Sequence, residues 1–164
     1  MGKNEHLLTA IRSFAVLVYG YSIYFQEITP NPFNIHYLGK LKFLTYWDLL
    51  LQFSFFTLLL VTQSLLKIKK NSIIKLIDTL FFSLALPVSL FVSVSFWILY
   101  AIDREIILPV AIEKYYPVWL NHSTHTLVAI LPLVEIRRPL GLSIPQLTQL
   151  ASAYRILYCE FHVH

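Results

Sequence analysis

Three apolar blocks, Leu7 to Phe25, Phe43 to Leu66 and Leu76 to Ala101, run through this sequence with almost no charge. Each matches the roughly 20 residues that a helix needs to cross the ~30 Å hydrocarbon core of a bilayer. In lipid the backbone must satisfy its own hydrogen bonds, so single blocks of this kind fold as helices. Composition agrees, because 57% of the 164 residues are hydrophobic and 13% are charged, with a mean hydropathy of +0.63. A soluble domain is about a quarter charged, and 13% is too little to cover one. The expected fold is an all-α, multi-pass transmembrane helix bundle, and a soluble globular domain is excluded.

A fourth span is expected over 121–136 and a fifth over 146–164, the latter interrupted by Arg155 and Glu160. Together the five hydrophobic segments make one integral membrane domain, 1–164. Ile106 to Leu120 is apolar but broken by Pro109, Glu113, Lys114 and Pro117, and its Tyr115, Tyr116 and Trp119 suit an interfacial segment. Arg12, near the start of the first span, is expected to snorkel to the surface. The short lead Lys3, Asn4, Glu5 and His6 has no small-residue cleavage pattern, so the first span reads as a retained signal anchor.

Basic residues orient the bundle. With the N-terminus inside, Lys3, Lys67, Lys69, Lys70, Lys75, Arg137 and Arg138 lie on the inner side, against Lys40, Lys42, Arg104 and Lys114 outside. Seven against four favours a cytoplasmic N-terminus. The cluster from Lys67 to Lys75 suits anionic lipid headgroups, at roughly 1 kcal/mol per basic residue. It is not interleaved with exposed aromatics as a nucleic-acid surface would be. Cys159 is the single cysteine, which excludes an intrachain disulfide. The endoplasmic reticulum or endomembrane system and the plasma membrane fit equally well.

Polar groups at membrane depth are costly and mark candidate sites. Thr45, Asp48 and Gln52 stand at i, i+3 and i+7, on one face of the second span. That stripe suits either a site or hydrogen-bonding glue between helices. In the fourth span His122 and His125 are three apart, with Thr126 beside them. Two histidines supply half of a four-ligand zinc site, and a haem between helices needs an inward histidine on each, so neither a metal nor another cofactor is expected. Asn121-His122-Ser123 matches the N-glycosylation pattern but abuts the membrane and is read as accidental.

Topology adds what spacing cannot. The second and fourth spans both start from outer loops, which brings Thr45 and His125 to one membrane face, where Asp103, Arg104 and Glu105 end the third span. A hydroxyl, an imidazole and carboxylates there are the parts that nucleophilic catalysis uses: a weak nucleophile, a base, and a group that orients the base.

The sequence resembles the family of the androgen-induced and androgen-dependent TFPI-regulating proteins. The matching pieces are Lys42-Phe43-Leu44-Thr45 with Asp48 and Gln52, Leu86-Pro87, Phe96-Trp97 with Tyr100-Ala101, and Asp103-Arg104-Glu105, followed by Pro117, Trp119-Leu120-Asn121-His122, His125-Thr126, Leu131-Pro132 and Glu135. The resemblance implies a multi-pass hydrolase of fatty-acid esters of hydroxy fatty acids, taking its branched lipid substrate from the bilayer. It places a threonine nucleophile on Thr45 and a catalytic histidine on His125, with Asp48, Asn121, His122, Asp103 and Arg104 in support. Asn121 and Arg104 are the suggested oxyanion donors. Family members continue through further spans, so this chain is expected to be incomplete at its C-terminal end. A non-catalytic membrane regulator or scaffold is the alternative. A small transporter ranks below both, because few charges lie deep and no glycine breaks a helix.

Overall fold

The computed structural model describes residues 3–29, 39–113 and 115–136. The loop around Pro30, Pro32 and His36, the Arg137–Arg138 pair and the stretch expected as a fifth span lie outside these residues. Within them the chain is helical and contains no strand. Helix α1 is Lys3–Ile28, and Glu5 in its first turn complements the positive end of the helix dipole. A 3₁₀ turn, Gly39–Lys42, leads into α2, Leu44–Leu65. Gly39 takes φ 47° there, a left-handed backbone that only glycine adopts without strain.

Helix α3, Asn71–Ile102, starts earlier than the apolar block in the sequence and includes Lys75. Its polar first turns extend the rod beyond the length that lipid alone would dictate. Two one-turn helices follow, α4 (Arg104–Ile107) and α5 (Val110–Glu113), in place of one continuous segment. Pro109 forces Leu108 out of helical geometry, to φ −139° and ψ 73°, and so separates them. The last described helix, α6, covers 118–136 and starts after Pro117.

Helices α1 (over Glu5–Ile28), α2 and α3 are long and apolar enough to cross a membrane. Each of α2, α3 and α6 contains a wide turn in which amides reach back five residues: Leu60–Leu65, Phe81–Ala85 and Ser123–Leu127. In α3 the wide turn precedes Pro87, whose ring would clash with the carbonyl four residues back in a regular helix. In α6, Ser123 and Thr124 both donate to the Leu120 carbonyl, at 2.9 Å, a back-bonding that loosens a helix.

The core forms where Ala15 and Tyr19 of α1 meet Leu49 and Phe56 of α2, Phe81 of α3 and Val128 of α6. Gly20 lets α1 approach α2, since a Cβ there would lie 3.2 Å from the Phe53 ring. Small residues drive such contacts in lipid, where apolar burial gives no net gain between helices. Gly20→Leu is expected to force the pair apart and to cost about 1–3 kcal/mol, seen as a lower thermal midpoint in detergent.

At the end of the bundle opposite Thr45, Arg12 does not snorkel. Its guanidinium grips Glu135 side-on, Nε to Oε1 at 2.8 Å and Nη2 to Oε2 at 3.1 Å, while Nη1 donates to Ser64 at 2.9 Å. Both charged side chains are sealed, at 4% and 2% exposure. A buried carboxylate near the end of α6 satisfies the guanidinium within the bundle, and the fork geometry of arginine matches it.

Candidate functional site

Thr45 stands in the first turn of α2, half-buried, and His125 lies inside the wide turn of α6, buried. Thr45 Oγ1 and His125 Nε2 are 3.4 Å apart. That is long for a hydrogen bond, but such contacts commonly tighten only once substrate is bound.

The imidazole is fixed from the other side. His125 Nδ1 lies 2.8 Å from Asn121 Oδ1 and 3.1 Å from the Asn121 backbone oxygen. A backbone carbonyl can only accept, so Nδ1 carries the proton whichever way the asparagine amide is turned. The neutral ring then presents its lone pair at Nε2, toward the Thr45 hydroxyl. Phe96 of α3 stacks flat on the ring, centroids 3.6 Å apart and planes at 15°, and fixes its tilt.

Behind this pair is a shell of hydroxyls. The Tyr116 hydroxyl lies 2.6 Å from Thr124 Oγ1, and Thr124 Oγ1 lies 3.1 Å from His125 Nδ1. Burial pushes the Tyr116 phenol up to about 12, against the opposing pull of its Thr124 hydrogen bond, so it stays protonated at physiological pH. Ser22 and Ser123 meet at 2.7 Å, and Tyr19 donates to the Leu127 carbonyl at 3.0 Å, both tying α1 to the wide turn. At the outer rim Lys40 pairs with Glu27 at 3.1 Å and donates to the Gln26 carbonyl, and Tyr46 donates to Glu27 at 2.6 Å. These contacts hold the strap before Thr45 against the end of α1.

Other candidates are placed elsewhere. Asp48 and Gln52 are buried one and two turns beyond Thr45, but Gln52 Nε2 donates to Asp48 at 3.0 Å and to the Ala85 carbonyl at 2.8 Å. The stripe therefore divides: its first residue meets the imidazole, and Gln52, bound to Asp48 on its own helix, fastens α2 to α3. His122 and His125 stack on adjacent rings of α3, Trp97 and Phe96, but only His125 is buried. His122 is exposed, with Nδ1 3.1 Å from Thr126 Oγ1 and its ring stacked on Trp97. Asp103 does not orient the histidine. Its extended backbone, φ −156° and ψ 109°, turns its carboxylate onto the Glu105 amide at 2.9 Å. Arg104 pairs with Glu113 and lies over the Tyr100 ring, with Phe96 and Tyr100 between it and His125. Asn121 sits behind the imidazole, away from Thr45, and orients it in place of the carboxylates. Buried within a helix, it is closed to glycosylation.

Among the described residues no three metal-ligating side chains cluster. Sequence reasoning missed Phe96 as the clamp on the imidazole, although Phe96-Trp97 is part of the recognised pattern; it read Tyr116 only as an interfacial aromatic and passed over Thr124. No spacing rule flags a tyrosine that reaches its partner from outside the helix.

Long apolar helices packed around buried polar contacts define an all-α integral membrane protein. The chain belongs to the FAR-17a/AIG1-like protein family, whose profile matches residues 7–157. It is 38% identical over 137 residues to the androgen-dependent TFPI-regulating protein of Mesocricetus auratus, covering 76% of this chain and 59% of that one. It is 40% identical over 117 residues to the human androgen-induced gene 1 protein, covering 65% and 49%, and 34% identical over 135 residues to the human androgen-dependent TFPI-regulating protein, covering 75% and 59%. The chain thus spans about half to three fifths of the length of these relatives. No solved structure matches it.

Proposed function

We propose that this chain is a membrane-embedded lipid-ester hydrolase that cleaves fatty-acid esters of hydroxy fatty acids through Thr45 and His125. The observation that carries the reading is the polarised line from Asn121 through His125 to Thr45: acceptor on Nδ1, lone pair at Nε2, hydroxyl at 3.4 Å. A weak hydroxyl nucleophile needs this activation.

In the proposed reaction Thr45 Oγ1 attacks the ester carbonyl carbon as its proton passes to His125 Nε2. The ester C–O bond then breaks, the leaving hydroxy fatty acid takes that proton, and an acyl-threonine remains. Water attacks the acyl-threonine and gives a proton to His125, and the released Thr45 oxygen recovers it. Fatty acid leaves and both residues are restored. Phe96 against the ring favours the transient imidazolium through its π face. The bilayer concentrates the substrate, since each buried methylene contributes about 0.8 kcal/mol.

The test is covalent labelling of the detergent-purified chain by a fluorophosphonate probe. Labelling at Thr45 supports the proposal; unlabelled protein that retains its helical fold goes against it. Asn121→Leu removes one orienting bond of about 1.5 kcal/mol, so turnover is expected to fall on the order of tenfold, while Asn121→Asp keeps an acceptor and most of the rate. The second reading is a non-catalytic regulator, favoured by the names of the relatives that describe regulation of TFPI.

A further inference from the structure

Two arginines in this bundle meet glutamate in different ways. Arg12 fills the Nε and Nη2 teeth of its fork with both oxygens of Glu135. Arg104 offers the same edge to Glu113 through Nη2, and Nε is buried with no hydrogen-bond partner among the described residues. The Arg104–Glu113 pair is also half open, at 37% and 44% exposure, so it is weak and exchangeable. A one-toothed glutamate on a two-toothed fork marks where a planar two-oxygen anion fits better.

The position of Arg104 gives that anion a meaning. Rings lead in unbroken steps from the imidazole to the guanidinium: Phe96 on His125 at 3.6 Å, Tyr100 beyond Phe96 at 5.7 Å, and Arg104 over Tyr100 at 5.9 Å. Phe96 and Tyr100 are one turn apart on the same face of α3, and Arg104 follows just past the helix end. An acyl chain laid along these rings would hold a reacting group at Thr45 and an acidic end at the outer rim.

We propose that Arg104 is an anion subsite that takes the free carboxylate of an acyl ligand side-on, displacing Glu113, and so sets which stretch of the lipid lies over Thr45. The inference extends the hydrolase reading to its substrate, and its test does not depend on turnover. The same chemistry would accept the phosphate of a lipid headgroup, and the experiment separates the two.

The naturally fluorescent fatty acid cis-parinaric acid and its methyl ester are titrated into the purified chain in detergent. The wild type is expected to bind the acid about tenfold more tightly than the ester, the size of one charge-assisted bond. Arg104→Gln should bring the two ligands to near parity. Glu113→Gln should tighten binding of the acid, because the competing carboxylate is gone, whereas a merely structural ion pair would make both variants behave alike. An acid preference that survives in Arg104→Gln, or is equally lost in Glu113→Gln, overturns the proposal. Displacement of the probe by dioleoyl phosphatidate but not by oleate overturns the carboxylate assignment and gives the subsite to a phosphate. Tight acid binding without any ester turnover would remove the hydrolase and leave the subsite in place.

Discussion

Thr45→Ala is expected to abolish ester hydrolysis, by at least ~10³-fold in kcat, without loss of the folded bundle. Loss of the nucleophile from a serine-type triad costs 10⁴ to 10⁶ because the remaining members cannot act alone, and the same logic applies to a hydroxyl–imidazole–amide line. Little structural penalty should accompany it, since Thr45 is half-buried and its side-chain hydrogen bond among the described residues is the long one to His125. Thr45→Ser should keep fluorophosphonate labelling, because the hydroxyl remains within reach of Nε2. His125→Ala should be as inactive as Thr45→Ala, and the double variant no worse than either. Two single variants that each retain substantial turnover of a branched fatty-acid ester, or losses that simply multiply, would show that the pair does not act as a unit.

The largest stability effect is expected at the opposite end of the bundle. Glu135→Leu leaves the Arg12 guanidinium sealed with only the Ser64 hydroxyl among the described residues, and stranding a buried charge in this way costs about 3–5 kcal/mol. Arg12→Met removes the guanidinium that both Glu135 oxygens accept from and is expected to lower stability as well. The double variant Arg12→Met/Glu135→Leu should regain most of that loss, because an apolar pair of similar volume needs no desolvation. Thermal unfolding of the four proteins in one detergent gives the coupling directly. Additive losses would mean that the two groups do not depend on each other. Because the pair joins α1 to α6 far from Thr45, the double variant should bring turnover back along with stability.

The expected membrane class agrees with the described helices, since length and apolarity of a block are one-dimensional properties. Thr45 and His125 could be nominated in advance because two starts of spans were traced to one membrane face. Both nominations remain proposals about function, though the side chains do meet. Reading went astray where a partner had to be chosen. Arg12 was given to water because no sequence rule points across 123 positions to Glu135. Asp103 was offered as the group that orients the imidazole because it carries charge, whereas a neutral amide one turn before His125 fills that place. His122 and His125 both meet α3, as three-residue spacing allows, but spacing does not tell which of them is buried against Thr45 and which is exposed.

What the sequence determined by itself is that this chain belongs in a bilayer as helices, because a single block of some twenty mostly apolar residues satisfies its own backbone hydrogen bonds there only as a helix. What only the tertiary structure decided is which polar side chains find one another. In a medium without water each such group must be matched by a protein partner, and the matches come from how helices rotate and close, through Gly20 and the wide turns, more than from spacing along the chain.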